Sequence, residues 1–344
     1  MYKVKQIKSV VAEITTKCQA SCPMCSRNRN GGLDNPKLKL IEWTFDDFNK
    51  MFSDEFLKQL DKMDFCGSFG DPLMNNDLIK MCERMKSVNP EMVIRINTNG
   101  GIRSTEWWKQ LYTALPKNHS VVFSIDGLED TNHIYRIGTN FKKIIKNAKA
   151  FIGEGGTATW KFLKFKHNAR QVEEIRQYAN ELGFKEFIVT PSHRFLEPDF
   201  PVYDSDGNLM YKLEPPDDGL HYIIDQHAIN NFDNWFSNVN IKCIAKQLNE
   251  IYVDAYMHLY PCCFFAAAHY QYYDPTGALY KYRIQSLEEF YKWLSDLGGI
   301  SAIDLNKKTI EEVLESESWQ TIWDTYWHDK KMLTCAKNCG DISL

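Results

Sequence analysis

Three cysteines near the start of the chain carry the first chemical signal: Cys18, Cys22 and Cys25, spaced C-x3-C-x2-C. Three thiolates on one short loop can hold a cubane iron–sulfur cluster and leave its fourth iron without a protein ligand. An open coordination position separates a catalytic metal site from a closed structural one. A zinc knuckle would want a fourth ligand close by, and no His or Cys follows within the next 40 residues. A second group lies far downstream: Cys243, Cys262, Cys263, Cys335 and Cys339. Cys243, Cys262, Cys335 and Cys339 make four ligands, sufficient for one [4Fe–4S] cluster held wholly by protein, or for a four-cysteine zinc site that braces the fold. Cys66 and Cys82 stand alone, and Cys82 falls on the apolar side of a predicted helix as a core residue.

The elements that must position these thiols follow from hydrophobic periodicity. Residues 10–15 read as a buried strand that feeds the first cysteine loop, and a strand end feeding a loop is where α/β barrels place chemistry. Thr44 predicts a helix N-cap, with Phe45, Phe48, Met51, Phe52, Phe56 and Leu60 at helical spacing behind it. Strands are expected at 62–66, 92–97, 120–125, 158–165 and 184–189, with helices at 76–88, 105–115, 141–152 and 172–182 between them. Such alternation implies an α/β fold with a parallel sheet and right-handed crossovers. Six strands are too few for a closed eight-strand barrel. Residues 191–235 are broken by prolines, Asp and Gly and read as a connecting segment with a short hairpin; the second cysteine group lies beyond, in 236–344.

Composition bounds the remaining possibilities. The chain has 344 residues, 44% hydrophobic and 25% charged, the values of an ordinary globular protein. No apolar run reaches membrane-spanning length, and Met1 to Lys5 lacks the apolar core of a secretory signal. Ten cysteines in such a chain point to reduced thiols and metal ligation in the cytoplasm rather than disulfides. A net charge of −4 argues against a nucleic-acid partner.

The cysteine loop and the segments after it resemble the radical S-adenosylmethionine (radical SAM) superfamily. The resemblance implies a partial (β/α)6 TIM-like barrel over residues 1–190. It implies S-adenosylmethionine bound at the open iron of a [4Fe–4S] cluster on Cys18, Cys22 and Cys25. Reductive cleavage to a 5'-deoxyadenosyl radical would follow, then abstraction of a substrate hydrogen atom, with a flavodoxin or ferredoxin as reductant. Gly67-Ser68-Phe69-Gly70-Asp71-Pro72 is similar to the family's Gly-Gly-Glu-Pro segment, which places Gly70 and Asp71 at the cofactor's amino group. Asn99, in Thr98-Asn99-Gly100, and Ser124 and Asp126, in Ser124-Ile125-Asp126-Gly127, resemble cofactor- or substrate-lining segments. Arg136 matches an Arg that grips the methionine carboxylate, and Val189, ending the sixth strand, offers backbone groups to adenine. Met24 departs from the aromatic residue many relatives carry before the third cysteine. Lys164, His167 and Asn168 face the site or cap the next helix.

Residues 251–263 resemble the hairpin that opens a SPASM or twitch domain, with Met257 where Gly is usual. A full SPASM domain carries about seven cysteines. The smaller set here implies a twitch-like α+β domain with one auxiliary [4Fe–4S] cluster, Cys262 rather than Cys263 being its ligand. The aromatic run 269–273 is expected in that domain's core or at a substrate pocket. Relatives of this plan modify ribosomal peptides or dehydrogenate small sugar-like alcohols. The implied function is hydrogen abstraction, with peptide modification favoured. An iron–sulfur or zinc protein that only binds partners would have no use for an open iron.

Overall fold

In the computed structural model, described for residues 3–192, 194–195, 198–217, 231–270, 280–328 and 331–341, the protein is a mixed α/β partial barrel. Its strands are β1 (Ser9–Ala12), β2 (Lys62–Phe65), β3 (Val93–Thr98), β4 (His119–Ser124), β5 (Ala158–Lys164), β6 (Glu186–Pro191), β7 (Phe200–Tyr203), β8 (Leu209–Leu213), β9 (Glu250–Val253) and β10 (Leu259–Tyr260). The main sheet runs β10-β9-β1-β2-β3-β4-β5-β6. All its pairs are parallel except β9–β10. Every residue of β1 is buried, as a central strand covered on both faces requires. Among the described residues, no helix is long and apolar enough to cross a membrane.

The β/α alternation over the first 190 residues matches the pattern expected from the sequence. The helix after Thr44 differs: it is two helices, Phe45–Met51 and Asp54–Gln59. Thr44 caps the first through a reciprocal box with Asp47, and Ser53 caps the second by accepting from Phe56 N–H. Phe52 between them is extended at φ −117°, so the apolar face continues across a bend.

The hairpin at 251–263 exists, and Met257 adopts φ +64° in its turn, the conformation that favours Gly there. It does not form a sheet of its own. Strand β9 lies beside β1 in register Ser9↔Glu250 to Ala12↔Val253 and extends the barrel sheet. One continuous core runs from Phe48, Phe65 and Trp108 to Phe290, Trp293 and Trp319. The expected short hairpin within 191–235 is β7–β8; residues 218–230 of that segment lie outside the described residues. This hairpin packs on the cysteine loop through a separate apolar cluster of Cys22, Met24, Tyr135, Phe165, Val202 and Leu213.

Candidate functional site

The C-terminal ends of β1 to β4 each deliver one part of the site. After β1 comes the cysteine loop, with Cys22 buried and Cys18 and Cys25 partly buried. After β2 the turn 67–71 folds onto that loop: Asp71 N–H donates to Lys17 O at 2.8 Å. A Cβ on Gly70 would stand 2.0 Å from Thr15 O, so this contact admits only glycine.

Asp71 is 3% exposed and is satisfied within the protein. Thr98 Oγ1 donates to both its oxygens at 2.9 Å, and Asn99 donates from its backbone at 2.8 Å and from Nδ2 at 2.6 Å. Burial raises its pKa while these donors oppose the shift. Asn99 then bridges outward, with Nδ2 3.7 Å from Cys18 Sγ and Oδ1 accepting from Gln19 Nε2 at 2.6 Å.

A second relay comes from β4. Asp126, fully buried, accepts from Arg136 Nε at 2.6 Å and Leu163 N–H at 2.7 Å. Arg136 Nη1 reaches Cys22 Sγ at 3.7 Å. Burial works against the Arg136 charge, but Asp126 and Cys22 outweigh it and hold its pKa above the usual value. Burial pushes up the Cys18 and Cys22 thiols; Ala20 N–H opposes this at Cys18 and Arg136 at Cys22. The sequence placed Asp71 and Arg136 toward a ligand's ammonium and carboxylate. In this structure both are engaged with protein groups, and each is one step from a cysteine.

Ser124 ends β4 opposite Lys161, and Val189 sits in the β5–β6 ladder opposite Phe162. Asn168 is structural, its Nδ2 donating to Asp126 O and Leu163 O. The His167 ring stacks on Phe165, and burial lowers its pKa to about 4. It lines a cavity of about 960 Å³ with Ser21, His133, Ile134, Tyr203 and Tyr211. Met24 is buried, and Ser192 Oγ donates to its sulfur at 3.5 Å. Cys82 is in the core as expected.

The downstream cysteines lie on or beside three helices. Cys243 precedes the helix Ile244–Gln247, Cys262 precedes the helix Cys263–Tyr270, and Cys335 and Cys339 lie one turn apart on Leu333–Cys339. Burial pushes up the Cys335 thiol, and Cys243 and Cys339 add repulsion; burial also pushes up Cys262, and Cys263, then Cys335 and Cys243, add repulsion there. Backbone N–H groups of Lys246 and Ala245 oppose the shift at Cys243, and that of Phe265 opposes it at Cys262. Cys263 faces elsewhere: its thiol is pushed up to about 12 by burial, then by Glu250 and Glu13. Of the aromatic run, Tyr270 is buried, donates to Asp254 at 2.6 Å and meets Phe69 edge-on at 5.4 Å; residues 271–273 lie outside the described residues.

Among the described residues, no three His, Cys, Asp or Glu side chains are drawn together as the ligands of one bare ion. The fit of a cluster rests on the donor sets. Each set supplies thiols of a spacing and chemistry that suit iron–sulfur ligation, and each has N–H donors aimed at sulfur, which tune such clusters.

No family model matches this sequence, and no curated protein sequence matches it. Solved structures do. Histidine-tagged anSMEcpe with bound AdoMet matches at TM-score 0.54 and 14% identity, over 98% of this chain and 89% of that one. Native anSMEcpe with AdoMet and the Kp18Cys peptide matches at 0.53 and 14%, over 98% and 92%. The chain shares the fold of these two structures. Streptococcus suis SuiB matches at TM-score 0.48 and 14% identity over 76% of this chain, which spans 61% of the SuiB chain.

Within this fold, the residue that sequence reading passed over is Glu13. It follows β1 and is 1% exposed. It accepts N–H bonds from Ser68 (2.9 Å), Phe69 (2.8 Å) and Gly70 (2.9 Å), a Cys66 thiol bond at 3.2 Å, and the Tyr252 hydroxyl at 3.4 Å. Its signal was available: a carboxylate inside an otherwise apolar strand needs a buried partner.

Proposed function

We propose that the protein is a radical SAM enzyme: it cleaves S-adenosylmethionine reductively and abstracts a hydrogen atom from a substrate, with a peptide as the favoured class. The observation that carries this is the convergence of strand ends on one thiol loop. Asp71 reaches Cys18 through Asn99, and Asp126 reaches Cys22 through Arg136. Cys18, Cys22 and Cys25 would hold a [4Fe–4S] cluster, which supplies the electron for sulfonium cleavage when bound. The protein's own contribution is placement. Asn99 and Arg136 direct N–H donors at Cys18 and Cys22, and the Arg136 cation offsets the charge that a deprotonated Cys22 brings into a buried site. The turn 67–71 supplies a backbone cradle for the cofactor's amino group.

Cys243, Cys262, Cys335 and Cys339 would hold an auxiliary [4Fe–4S] cluster. The peptide reading draws support from the matched anSMEcpe structure, which holds AdoMet and a peptide. The test is anaerobic iron–sulfur reconstitution with a strong reductant. We expect 5'-deoxyadenosine and methionine from S-adenosylmethionine, and loss of both in Cys18→Ala, Cys22→Ala and Cys25→Ala. Undiminished cleavage in any of the three overturns the assignment.

A further inference from the structure

Three consecutive backbone N–H groups of the turn after β2 point at one carboxylate. Ser68 donates to Glu13 Oε2, and Phe69 and Gly70 donate to Oε1, all within 2.9 Å. In a trans peptide the carbonyl points opposite its N–H. Fixing those three N–H groups therefore turns the carbonyls of Gly67, Ser68 and Phe69 away from Glu13. Among the described residues, no backbone N–H donates to these carbonyls. The turn presents a row of acceptors, which suits a ligand ammonium. Glu13 is in turn tied to the C-terminal part of the chain, because Tyr252 on β9 donates to the same oxygen as Ser68. The turn is steadied from that side again by Phe69 against Tyr270.

We infer that Glu13 is a positioning residue for S-adenosylmethionine. It sets the peptide planes of the turn 67–70 so that their carbonyls receive the ligand's amino group, and it links that turn to β9. The inference rests on the functional reading above and adds a residue that touches neither ligand nor cluster.

Two measurements test it on the full chain. The first is amide hydrogen exchange of Ser68, Phe69 and Gly70 in the protein without S-adenosylmethionine. These amides should exchange at least about tenfold more slowly than unprotected ones in the wild type, and Glu13→Gln should speed them. The second is the dissociation constant for S-adenosylmethionine on iron-loaded protein. It should rise about tenfold in Glu13→Ala, with Glu13→Gln, which keeps one acceptor oxygen, in between, while iron bound by the first cysteine loop is unchanged. The partial rescue by Gln separates orientation of the turn from mere filling of space.

Unprotected amides in the wild type overturn the proposal even if both variants fail to fold. Unchanged affinity in a folded Glu13→Ala also overturns it. If the wild type binds no S-adenosylmethionine, the functional reading fails, and the exchange data still decide whether Glu13 holds the turn.

Discussion

Cys262 and Cys263 are neighbours in sequence and face different surroundings. The Cys262 thiol is raised by burial and then by Cys263, Cys335 and Cys243, whereas the Cys263 thiol is raised by burial and then by Glu250 and Glu13. The helix Cys263–Tyr270 starts between them. Cys262→Ser should lose the downstream iron, about four atoms per chain for a cubane, and Cys263→Ser should retain it. Iron analysis after reconstitution reads this directly, and the reverse pattern would assign the ligand to Cys263.

Asp126 and Arg136 form an ion pair in which the carboxylate is fully buried and the guanidinium largely so. Removing one partner leaves a charge in a low-dielectric site, which costs about 3–5 kcal/mol. Asp126→Ala should therefore lower the urea midpoint strongly. Asp126→Asn, which keeps one of the two acceptor oxygens that Arg136 Nε and Leu163 N–H use, should lower it less. Equal midpoints for Asp126→Ala and wild type would show that the pair contributes nothing.

The barrel half of this molecule was legible in sequence because its signals are local. Thr44 and Ser104 cap helices with their own side chains, and each apolar run is bounded by polar turns. The bend at Phe52 was hidden because Phe56 and Leu60 keep the apolar spacing of the preceding helix. The placement of β9 beside β1 was hidden for a different reason. Val10 and Ile251 are register partners, but nothing in either segment specifies so distant a neighbour. Within the site, the cysteines were named from their spacing and Asp71 from the resemblance of its turn to the family's Gly-Gly-Glu-Pro segment. Glu13 could not be given a role until the backbone it holds was visible, since three of its partners are main-chain N–H groups that carry no sequence signal.

Gly70 offers a sharp test of the contact between the turn and the cysteine loop. An added methyl would lie 2.0 Å from Thr15 O and 3.0 Å from Lys17 O, both backbone atoms that have little room to yield. Gly70→Ala should cost about 3 kcal/mol, the upper part of the usual range for overpacking, and should weaken S-adenosylmethionine binding with it. Gly153→Ala is the matched control. It ends the helix Phe141–Gly153 and meets nothing within 4 Å, so its thermal midpoint should stay level or rise slightly. A Gly70→Ala midpoint equal to that of wild type would mean the two loops are not in contact.

Glu13 also makes stability depend on pH. Burial raises its pKa from 4.5 to about 7, against the pull of its N–H and thiol donors. The folded chain thus keeps a proton between these values that the unfolded chain releases. Native protein binds more protons there, so unfolding free energy falls as pH rises. The contribution is fully present below about pH 4.5 and lost by about pH 7, a change of about 3 kcal/mol. The titratable groups facing it, Cys66, Tyr252 and Cys263, are themselves raised by burial and stay neutral over this span. Glu13→Gln cannot titrate. Its stability relative to wild type should improve between about pH 5 and pH 7 and level off above that, whatever fixed cost the lost hydrogen bonds impose. Urea unfolding of both proteins across that range measures the difference, and a difference that does not vary with pH would show that Glu13 titrates alike in the folded and unfolded chains.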